Sequence, residues 1–269
     1  MDHPITPTTT PSDEILYELR DNIAFVTFNR PQARNAFTFA MYERLADICT
    51  EANENRSIRA MVLTGAGGKA FAAGTDISQF RAFDRPEDAL GYENRIDRVL
   101  GTLESCRVPT IAAISGACTG GGAGIAGCCD LRIATDNARF GLPIARTLGN
   151  CLSMSNYSRF AALIGSARLK EMIFTARLVE APEALQIGLI SEIVSDPADL
   201  MNRAEELART VAGHAPLTLQ SCKEALRRLR PTIPQGEGDD LILMCYMSQD
   251  FREGIDAFLS KRAPNFKGE

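Results

Sequence analysis

The stretch that decides the fold is residues 115–124, which read Ser-Gly-Ala-Cys-Thr-Gly-Gly-Gly-Ala-Gly. An apolar segment at 109–114 precedes this glycine run, and a segment of small residues ending at Asp130 follows it. Glycine has no Cβ, so the backbone can approach a bound group closely, and amides at a helix N-terminus favour negative charge. The order of strand, glycine run and helix start predicts a cradle for an anion or oxyanion. A tight turn or close helix packing is the alternative.

Length and composition narrow the class of protein. The chain has 269 residues, which fits one large domain with a sizeable core, and a formal net charge of −5. Its basic residues are scattered, so no nucleic-acid partner is expected. Eight cysteines without CxxC spacing, and only His3 and His214, argue against a disulfide framework and a metal site. We expect reduced thiols and a cytoplasmic location.

Residues 110–129 carry no charge over the length of a membrane span. Six of these residues are glycine and only three are isoleucine, so the segment lacks the apolar mass of a transmembrane helix. No membrane association is expected.

The rest of the chain alternates between strand and helix patterns, which is typical of an α/β fold. Two strands flank Asp21-Asn22 as a hairpin, and Met41, Leu45 and Ile48 repeat at helical spacing. Beyond about residue 153 the chain is mostly helical, with one more strand near 189–194. We divide the chain into a flexible N-terminal tail at 1–12, a core at 13–196 and a C-terminal helical region at 197–269.

Three further segments extend the pattern: Asn-Arg-Pro-Gln-Ala-Arg-Asn-Ala-Phe at 29–37, Lys-Ala-Phe-Ala-Ala-Gly-Thr-Asp-Ile at 69–77, and Ala-Phe-Leu-Ser-Lys-Arg at 257–262. Together with the glycine run, these ordered motifs closely resemble the crotonase family, also called the enoyl-CoA hydratase/isomerase superfamily. The resemblance covers roughly residues 14–267. It implies an α/β crotonase spiral of ββα units with a C-terminal helical trimerisation region.

The resemblance also implies an enzyme that acts on acyl-CoA thioesters as a homotrimer or a hexamer built as a dimer of trimers. Coenzyme A would enter as part of the substrate, and no permanently bound cofactor is expected. The family's oxyanion hole maps onto the backbone amides of Thr75 and Gly121. Such fixed donors stabilise the charge that develops on the thioester oxygen, each typically by about 3 kcal/mol.

The same motif match implies a set of residues that contact the substrate. Lysine suits a phosphate as a compact point charge; a solvated charge at a helix end is the alternative for Lys261. Asp76 is favoured as a helix N-cap over a catalytic residue. The residues expected near the coenzyme are Ala33, Arg34, Ala73, Asp76 and Ile77, and those expected to reach the coenzyme of a neighbouring subunit are Phe258 and Lys261.

The chain departs from the family at both glutamates that a hydratase uses for proton transfer. One should come two residues after the triple glycine and the other after a Phe-Gly-x-Pro turn, but these positions hold Gly124 and Ile144. No Asp or Glu occurs at 105–129 or at 137–170. We therefore expect weak or absent hydratase turnover, and a simple double-bond shift is also in doubt because the isomerases usually keep the second glutamate.

The dehalogenase branch of the family places a nucleophilic Asp after a Gly-Asn pair. Here Gly149 and Asn150 precede Cys151 with a shift of one residue, so Cys151 is a candidate nucleophile, which Arg146 could activate by lowering its pKa. The favoured alternative for Cys151 is a small buried hydrophobic residue. The alternative functions are a thioester hydrolase, decarboxylase or dehalogenase-like enzyme that uses Cys151, and a non-catalytic acyl-CoA-binding protein.

A few polar residues near these segments could also face the acyl pocket. Glu93 and Tyr92, on the helix before the glycine run, could supply an acid but are not included in the predicted site. The other polar candidates are Asn150, Ser153 and Tyr157.

Overall fold

The structure, a computed structural model, describes residues 14–269. The tail predicted at 1–12 lies outside the described residues, as does the first residue of the predicted core, Asp13. The described chain opens with the predicted hairpin of β1 (Ile15–Arg20) and β2 (Ile23–Phe28). Asp21 and Asn22 join the strands with φ of 50° and 63°, the left-handed conformation that a two-residue hairpin turn requires.

Six strands form the larger sheet, in the order β1-β2-β3-β5-β7-β10. Apart from the antiparallel hairpin, its neighbouring strands are parallel. The remaining strands are β3 (Ala60–Gly65), β5 (Thr110–Ile114), β7 (Leu131–Thr135) and β10 (Glu192–Val194).

A second sheet has the order β4-β6-β8-β9, and only its last pair is antiparallel. The sequence pattern does not predict this sheet, because strands of two to four residues carry too little hydrophobic periodicity to stand out. Its members are β4 (Ala70–Ala73), β6 (Ala117–Thr119), β8 (Arg139–Gly141) and β9 (Val179–Glu180).

From β3 to β8, successive strands enter the two sheets in turn, and a helix follows each pair. β3 and β4 lead to α2, β5 and β6 to α3, and β7 and β8 to α4, which confirms the predicted spiral of ββα units. The helices are α1 (Phe39–Glu54), α2 (Pro86–Glu104), α3 (Gly121–Cys128), α4 (Ile144–Thr147), α5 (Met154–Ile164), α6 (Ser166–Thr175), α7 (Ala181–Gln186), α8 (Leu200–Ala212), α9 (Pro216–Arg228), α10 (Asp239–Tyr246) and α11 (Gln249–Leu259).

Both faces of the larger sheet are buried, because side chains alternate along each strand. Ile23 and Phe25 of β2 lie in a cluster with Leu200 and Ala204 of α8. The intervening Ala24 and its equivalents in other strands belong to the main core, which includes α1 and α2. Helix α8 therefore covers the face of the larger sheet that lies opposite the main core.

Most of the C-terminal region packs on its own chain. Helix α10 contacts α2, and α11 contacts the 3-10 turn Ile77–Ala82. Helix α9 differs, because it has no buried residue within the described structure, and both Leu217 and Leu226 on it are exposed.

The uncharged segment at 110–129 is divided among β5, β6 and α3. Within residues 14–269 no helix is both long and apolar enough to cross a membrane. No group of three or more His, Cys, Asp or Glu side chains in that range is arranged as a metal ion would need.

Candidate active site

The glycine run at 115–124 contains β6, the turn at Gly120 and the start of α3. Gly120 has φ of 52° and precedes Gly121, the first residue of the helix. A Cβ on Gly122 would lie 2.1 Å from the carbonyl oxygen of Ala72, so the helix start packs directly against β4. The Gly121 N–H lies in the first turn of α3, where a backbone amide has no intrahelical acceptor.

Thr75 follows β4 after Gly74, which has φ of +92°. A parallel bridge holds this turn: the Phe37 N–H donates to the Gly74 carbonyl at 2.9 Å, and the Asp76 N–H donates to the Phe37 carbonyl at 2.8 Å. These bonds use the residues on either side of Thr75. Across residues 14–269, neither the Thr75 N–H nor the Gly121 N–H donates to a backbone carbonyl.

The hydroxyl groups of Tyr42 and Tyr92 hold the Thr75 side chain beside Gly121. Thr75 Oγ1 lies 2.9 Å from Tyr42 Oη and 3.0 Å from Tyr92 Oη. A Cβ on Gly121 would lie 2.1 Å from Tyr42 Oη and 3.1 Å from Thr75 Oγ1. The two segments that carry the predicted amides are therefore in direct contact, and packing requires glycine at 121.

Thr75 and Gly121 line one cavity of about 180 Å³ between α2, α3 and the segment before α5. Its other walls are largely apolar, with Ile96 and Leu100 from α2 and Phe160 from α5. Such a cavity can accept an apolar chain next to two amide donors.

The two positions predicted to correspond to the glutamates of a hydratase, Gly124 and Ile144, also line this cavity. A Cβ on Gly124 would lie 3.3 Å from Cδ1 of Leu100, so the Leu100 side chain occupies the space beside this position. Ile144 is buried and apolar. Neither residue can transfer a proton.

A carboxylate nevertheless lines the cavity. Glu93 of α2 is only 5% exposed and lies on the same helix face as Ile96 and Leu100. Burial raises the pKa of Glu93 to about 8; the hydrogen bond from Tyr246 opposes this shift, and the nearby charge of Asp97 adds to it. The predicted site did not include Glu93, although helical spacing from Ile96 and Leu100 was an available signal.

Cys151 also lines the cavity, but its surroundings do not favour a nucleophile. Its thiol donates to the Leu241 carbonyl at 3.5 Å. The contact with Cys245 and burial both raise the pKa of the Cys151 thiol, whereas a nucleophilic cysteine needs a lowered one. Arg146, proposed as its activator, has an exposed side chain.

Of the three other polar candidates, only Asn150 lines the cavity. Asn150 lines the cavity, and its Nδ2 donates to Tyr246 Oη at 3.2 Å. Ser153 is the N-cap of α5: its Oγ accepts from the Asn156 N–H at 3.2 Å and donates to Asp97 at 2.7 Å. Tyr157 is half-buried outside the cavity lining.

Two of the residues expected near the coenzyme line the cavity, and the others lie on adjoining segments. Ala73 and Ile77 line it. Ala33 and Arg34 lie at the end of the 3-10 turn Pro31–Ala33, and the Arg34 carbonyl accepts from the Ala73 N–H at 3.0 Å. The loop therefore lies next to β4, with the Arg34 side chain exposed.

Asp76 has the structural role that its position suggests. It is the N-cap of the 3-10 turn Ile77–Ala82, accepting from the Ser78 N–H at 3.2 Å, and it pairs with Arg30 at 3.0 Å. Burial would raise the pKa of Asp76, but these hydrogen bonds outweigh it and hold the pKa below its ordinary value.

Phe258 of α11 is half-exposed and lines the cavity of its own chain. Lys261 follows α11 with φ of 55° and is exposed outside the cavity lining. Contact of these residues with the coenzyme of a neighbouring subunit stays a prediction.

Comparison with known proteins shows the family to which the chain belongs. The family model for enoyl-CoA hydratase/isomerase matches residues 18–269. A short-chain-enoyl-CoA hydratase of Clostridium acetobutylicum is 35% identical over 257 residues, covering 93% of this chain and 96% of that protein. An enoyl-CoA hydratase/carnithine racemase structure from Magnetospirillum magneticum superposes with a TM-score of 0.76 at 33% identity, covering 96% of each chain.

A structure of methylmalonyl-CoA decarboxylase in complex with 2-nitronate-propionyl-CoA superposes with a TM-score of 0.85. It is 27% identical and covers 95% of this chain and 99% of that one. The chain therefore belongs to the enoyl-CoA hydratase/isomerase family, the crotonase superfamily, and is an enzyme of the lyase or isomerase type that this family comprises.

Proposed function

We propose that the chain catalyses a reaction of an acyl-CoA thioester in which the amides of Thr75 and Gly121 hold the thioester oxygen while an enolate forms. The observation that carries this proposal is that both amides belong to contacting segments of one cavity and are free of backbone acceptors within residues 14–269. Preorganised donors of this kind stabilise developing negative charge without reorganising. The coenzyme would lie against Ala73 and Ile77 of the cavity wall and the adjoining residues Ala33, Arg34 and Asp76.

Ordinary hydration with two glutamates is not the reaction that this site favours. Gly124 and Ile144 carry no ionisable group, and Leu100 occupies the space beside Gly124. The enolate would be formed and consumed with at most one carboxylate in the cavity. We therefore expect low rates on crotonyl-CoA.

Decarboxylation is the second candidate, favoured by the TM-score of 0.85 to methylmalonyl-CoA decarboxylase. When CO₂ leaves an acyl-CoA that carries a carboxylate on its α-carbon, the electron pair stays behind and forms the enolate. This route needs no base to remove a proton, which suits a cavity without the usual pair of glutamates. Hydrolysis or dehalogenation through Cys151 is less well supported, because burial and Cys245 raise the pKa of its thiol.

Assembly into a homotrimer or hexamer, expected from the family, stays part of the proposal. Its support is the exposure of apolar side chains on α9, where Leu217 and Leu226 are 76% and 62% exposed. A cavity of about 590 Å³ adjoins this helix, lined among others by Cys222 and Leu226. A second subunit could bury this surface.

The test uses butyryl-CoA labelled with ¹³C at the thioester carbon. Binding should shift the ¹³C carbonyl resonance, and S-butyl-CoA, which lacks the carbonyl oxygen, should bind at least tenfold more weakly. The same protein is then assayed for exchange of the butyryl-CoA α-proton in D₂O, hydration of crotonyl-CoA and decarboxylation of methylmalonyl-CoA. A carbonyl shift with turnover in one of these assays would support the proposal.

Two results would contradict the proposed function, and a third would contradict the role assigned to positions 124 and 144. Equal affinity for the two ligands without a carbonyl shift would remove the oxyanion hole. A carbonyl shift without any turnover or exchange would favour the non-catalytic acyl-CoA-binding protein instead. Crotonyl-CoA hydration at rates ordinary for a hydratase would overturn our account of positions 124 and 144.

A further inference from the structure

We propose that Glu93, held by Tyr246 and Asn150, is the catalytic residue that carries the proton to and from the α-carbon of the bound thioester. This inference rests on the proposed function and supplies the proton carrier that Gly124 and Ile144 cannot provide. It is carried by the placement of one buried carboxyl group in the wall of the cavity that also holds Thr75 and Gly121.

Glu93 lies on the side of α2 that faces the cavity. Residues three and seven positions further along a helix lie on the same face, and these are Ile96 and Leu100. All three line the cavity. Glu93 therefore faces the acyl pocket, and Leu100 of the same face lies beside Gly124, where the family has a glutamate.

Hydrogen bonds hold the carboxyl group of Glu93. Tyr246 Oη donates to Glu93 Oε1 at 2.5 Å, and the Ser153 N–H also donates to this side chain. Asn150 Nδ2 in turn donates to Tyr246 Oη at 3.2 Å, so the hydroxyl proton is directed at Glu93. Tyr246 and Asn150 are positioning residues, because they act on the substrate through Glu93.

Glu93 has no cationic partner in the described part of the chain. The only other charged group that acts strongly on it is Asp97, which carries the same sign of charge. A buried carboxyl without a countercharge lowers stability when it ionises, and such groups are concentrated at functional sites. Anchoring Tyr246 alone would require only a neutral acceptor such as glutamine.

A further polar atom in the cavity wall is left without a partner. Asn150 Oδ1 is shielded from solvent and accepts no hydrogen bond from any described residue. Its Nδ2 is committed to Tyr246 Oη and the Cys151 carbonyl, which fixes the orientation of the amide. A buried acceptor of this kind is normally satisfied by a donor from water or a ligand. This observation independently marks the Glu93 end of the cavity as a ligand-facing site.

The proton transfer can be written as one reversible step. The ionised Glu93 carboxylate takes the α-proton, the C–H electron pair becomes the enolate double bond, and the carbonyl π pair moves to the oxygen held by Thr75 and Gly121. In reverse, the carboxyl O–H breaks, the new C–H bond forms, and the carbonyl is restored. After decarboxylation only the reverse half is needed.

The test compares α-proton exchange of butyryl-CoA in D₂O between the wild-type protein and Glu93→Gln. Glutamine keeps an acceptor for Tyr246 but cannot carry a proton, so exchange should fall at least 100-fold, as for loss of a general base. Glu104→Gln is the matched control, because Glu104 lies on the same helix outside this cavity and pairs with Arg159 and Arg230. This control should exchange within about threefold of the wild-type rate.

The pH profile is the readout that a structural role would not affect. Exchange needs the ionised carboxylate, so the wild-type rate should rise with pH and level off above the Glu93 pKa of about 8. Glu93→Gln should show no such rise. The titratable groups around Glu93 are Tyr42 of α1, Tyr92 and Asp97 of α2, Cys151 before α5, Tyr157 of α5 and Tyr246 of α10.

The outcomes separate this inference from the proposed function. If Glu93→Gln still shifts the ¹³C carbonyl resonance but does not exchange, both stand. If it shifts the resonance and exchanges at the wild-type rate, the role of Glu93 is wrong while the oxyanion hole remains. Should Glu93→Gln fail to fold, the wild-type profile decides alone: exchange independent of pH between 6.5 and 9.5 would overturn the inference.

Discussion

Tyr246 donates a hydrogen bond to Glu93 across 153 positions of sequence. The donor lies on α10 in the C-terminal region and the acceptor on α2 in the spiral core, and both side chains are buried. This bond joins the C-terminal helices to the wall of the candidate active site. The C-terminal region therefore completes the site of its own chain.

Stability should depend on pH through Glu93. Its pKa rises from 4.5 to about 8 on folding, so the folded protein loses stability as pH rises between these values. Each unit corresponds to about 1.4 kcal/mol, which gives up to about 5 kcal/mol for the whole window. Glu93→Gln removes this loss, so its melting temperature relative to the wild type should increase from pH 5 to pH 9. A difference that stays constant with pH would show that Glu93 is not buried in this way.

The Tyr246→Phe variant should move the pH profile of exchange. The tyrosine hydroxyl lowers the pKa of Glu93 by donating to it, so its removal should shift the rising limb to higher pH. A hydrogen bond to a charged group contributes about 1.5 kcal/mol, which predicts a shift on the order of one pH unit. An unchanged limb with a lower plateau would indicate that Tyr246 acts on packing alone.

A glutamate restored at position 124 should not by itself create a hydratase. The Leu100 side chain lies against this position, so Gly124→Glu should overpack the core and cost about 1–3 kcal/mol. Adding Leu100→Ala should recover part of that stability by making room. The measurements are melting temperature and crotonyl-CoA hydration for the single and double variants. Full stability of the single variant would contradict the predicted overlap.

Any side chain at position 121 should collide with Tyr42. Gly121→Ala should therefore destabilise the protein by about 1–3 kcal/mol, and Tyr42→Phe should rescue part of this loss, because the atom 2.1 Å from the added Cβ is the hydroxyl oxygen. Gly91→Ala in α2 is the control, since its Cβ would meet nothing within 4 Å. Chemical denaturation of the wild type, the two single variants at 121 and 42 and their double variant measures the coupling between these positions. Additive effects on the free energy of unfolding would argue against the contact.

Cys151 should be dispensable for catalysis. Its thiol has a raised pKa, so Cys151→Ala should keep activity within about threefold of the wild type, and iodoacetamide at pH 7 should label the exposed Cys222 rather than Cys151. Loss of activity with an intact fold would restore the nucleophile hypothesis. A matched Cys222→Ala variant identifies which thiol is labelled.

Short-range patterns were enough for much of the fold and for the amide segments. The Asp21-Asn22 turn, the apolar period of α1 and the glycines before Gly121 each act within a few residues, and the structure contains each of them. The second sheet was missed because its strands are too short to carry a period. Glu93 was noticed but not selected: helical spacing places it on the apolar face of α2, but its burial against Tyr246 depends on the packing of α10, which that spacing does not show.

From its sequence alone the chain could be assigned to its family, with the ββα spiral that this family implies, and shown to lack a carboxylate at positions 124 and 144. Backbone geometry is encoded locally, so motif residues were sufficient for these conclusions. Only the tertiary structure decided that Leu100 fills the space beside Gly124 and that Glu93 lies buried against Tyr246. The protonation of a carboxyl group depends on burial and on distant partners, and both arise only when α2 and α10 pack together.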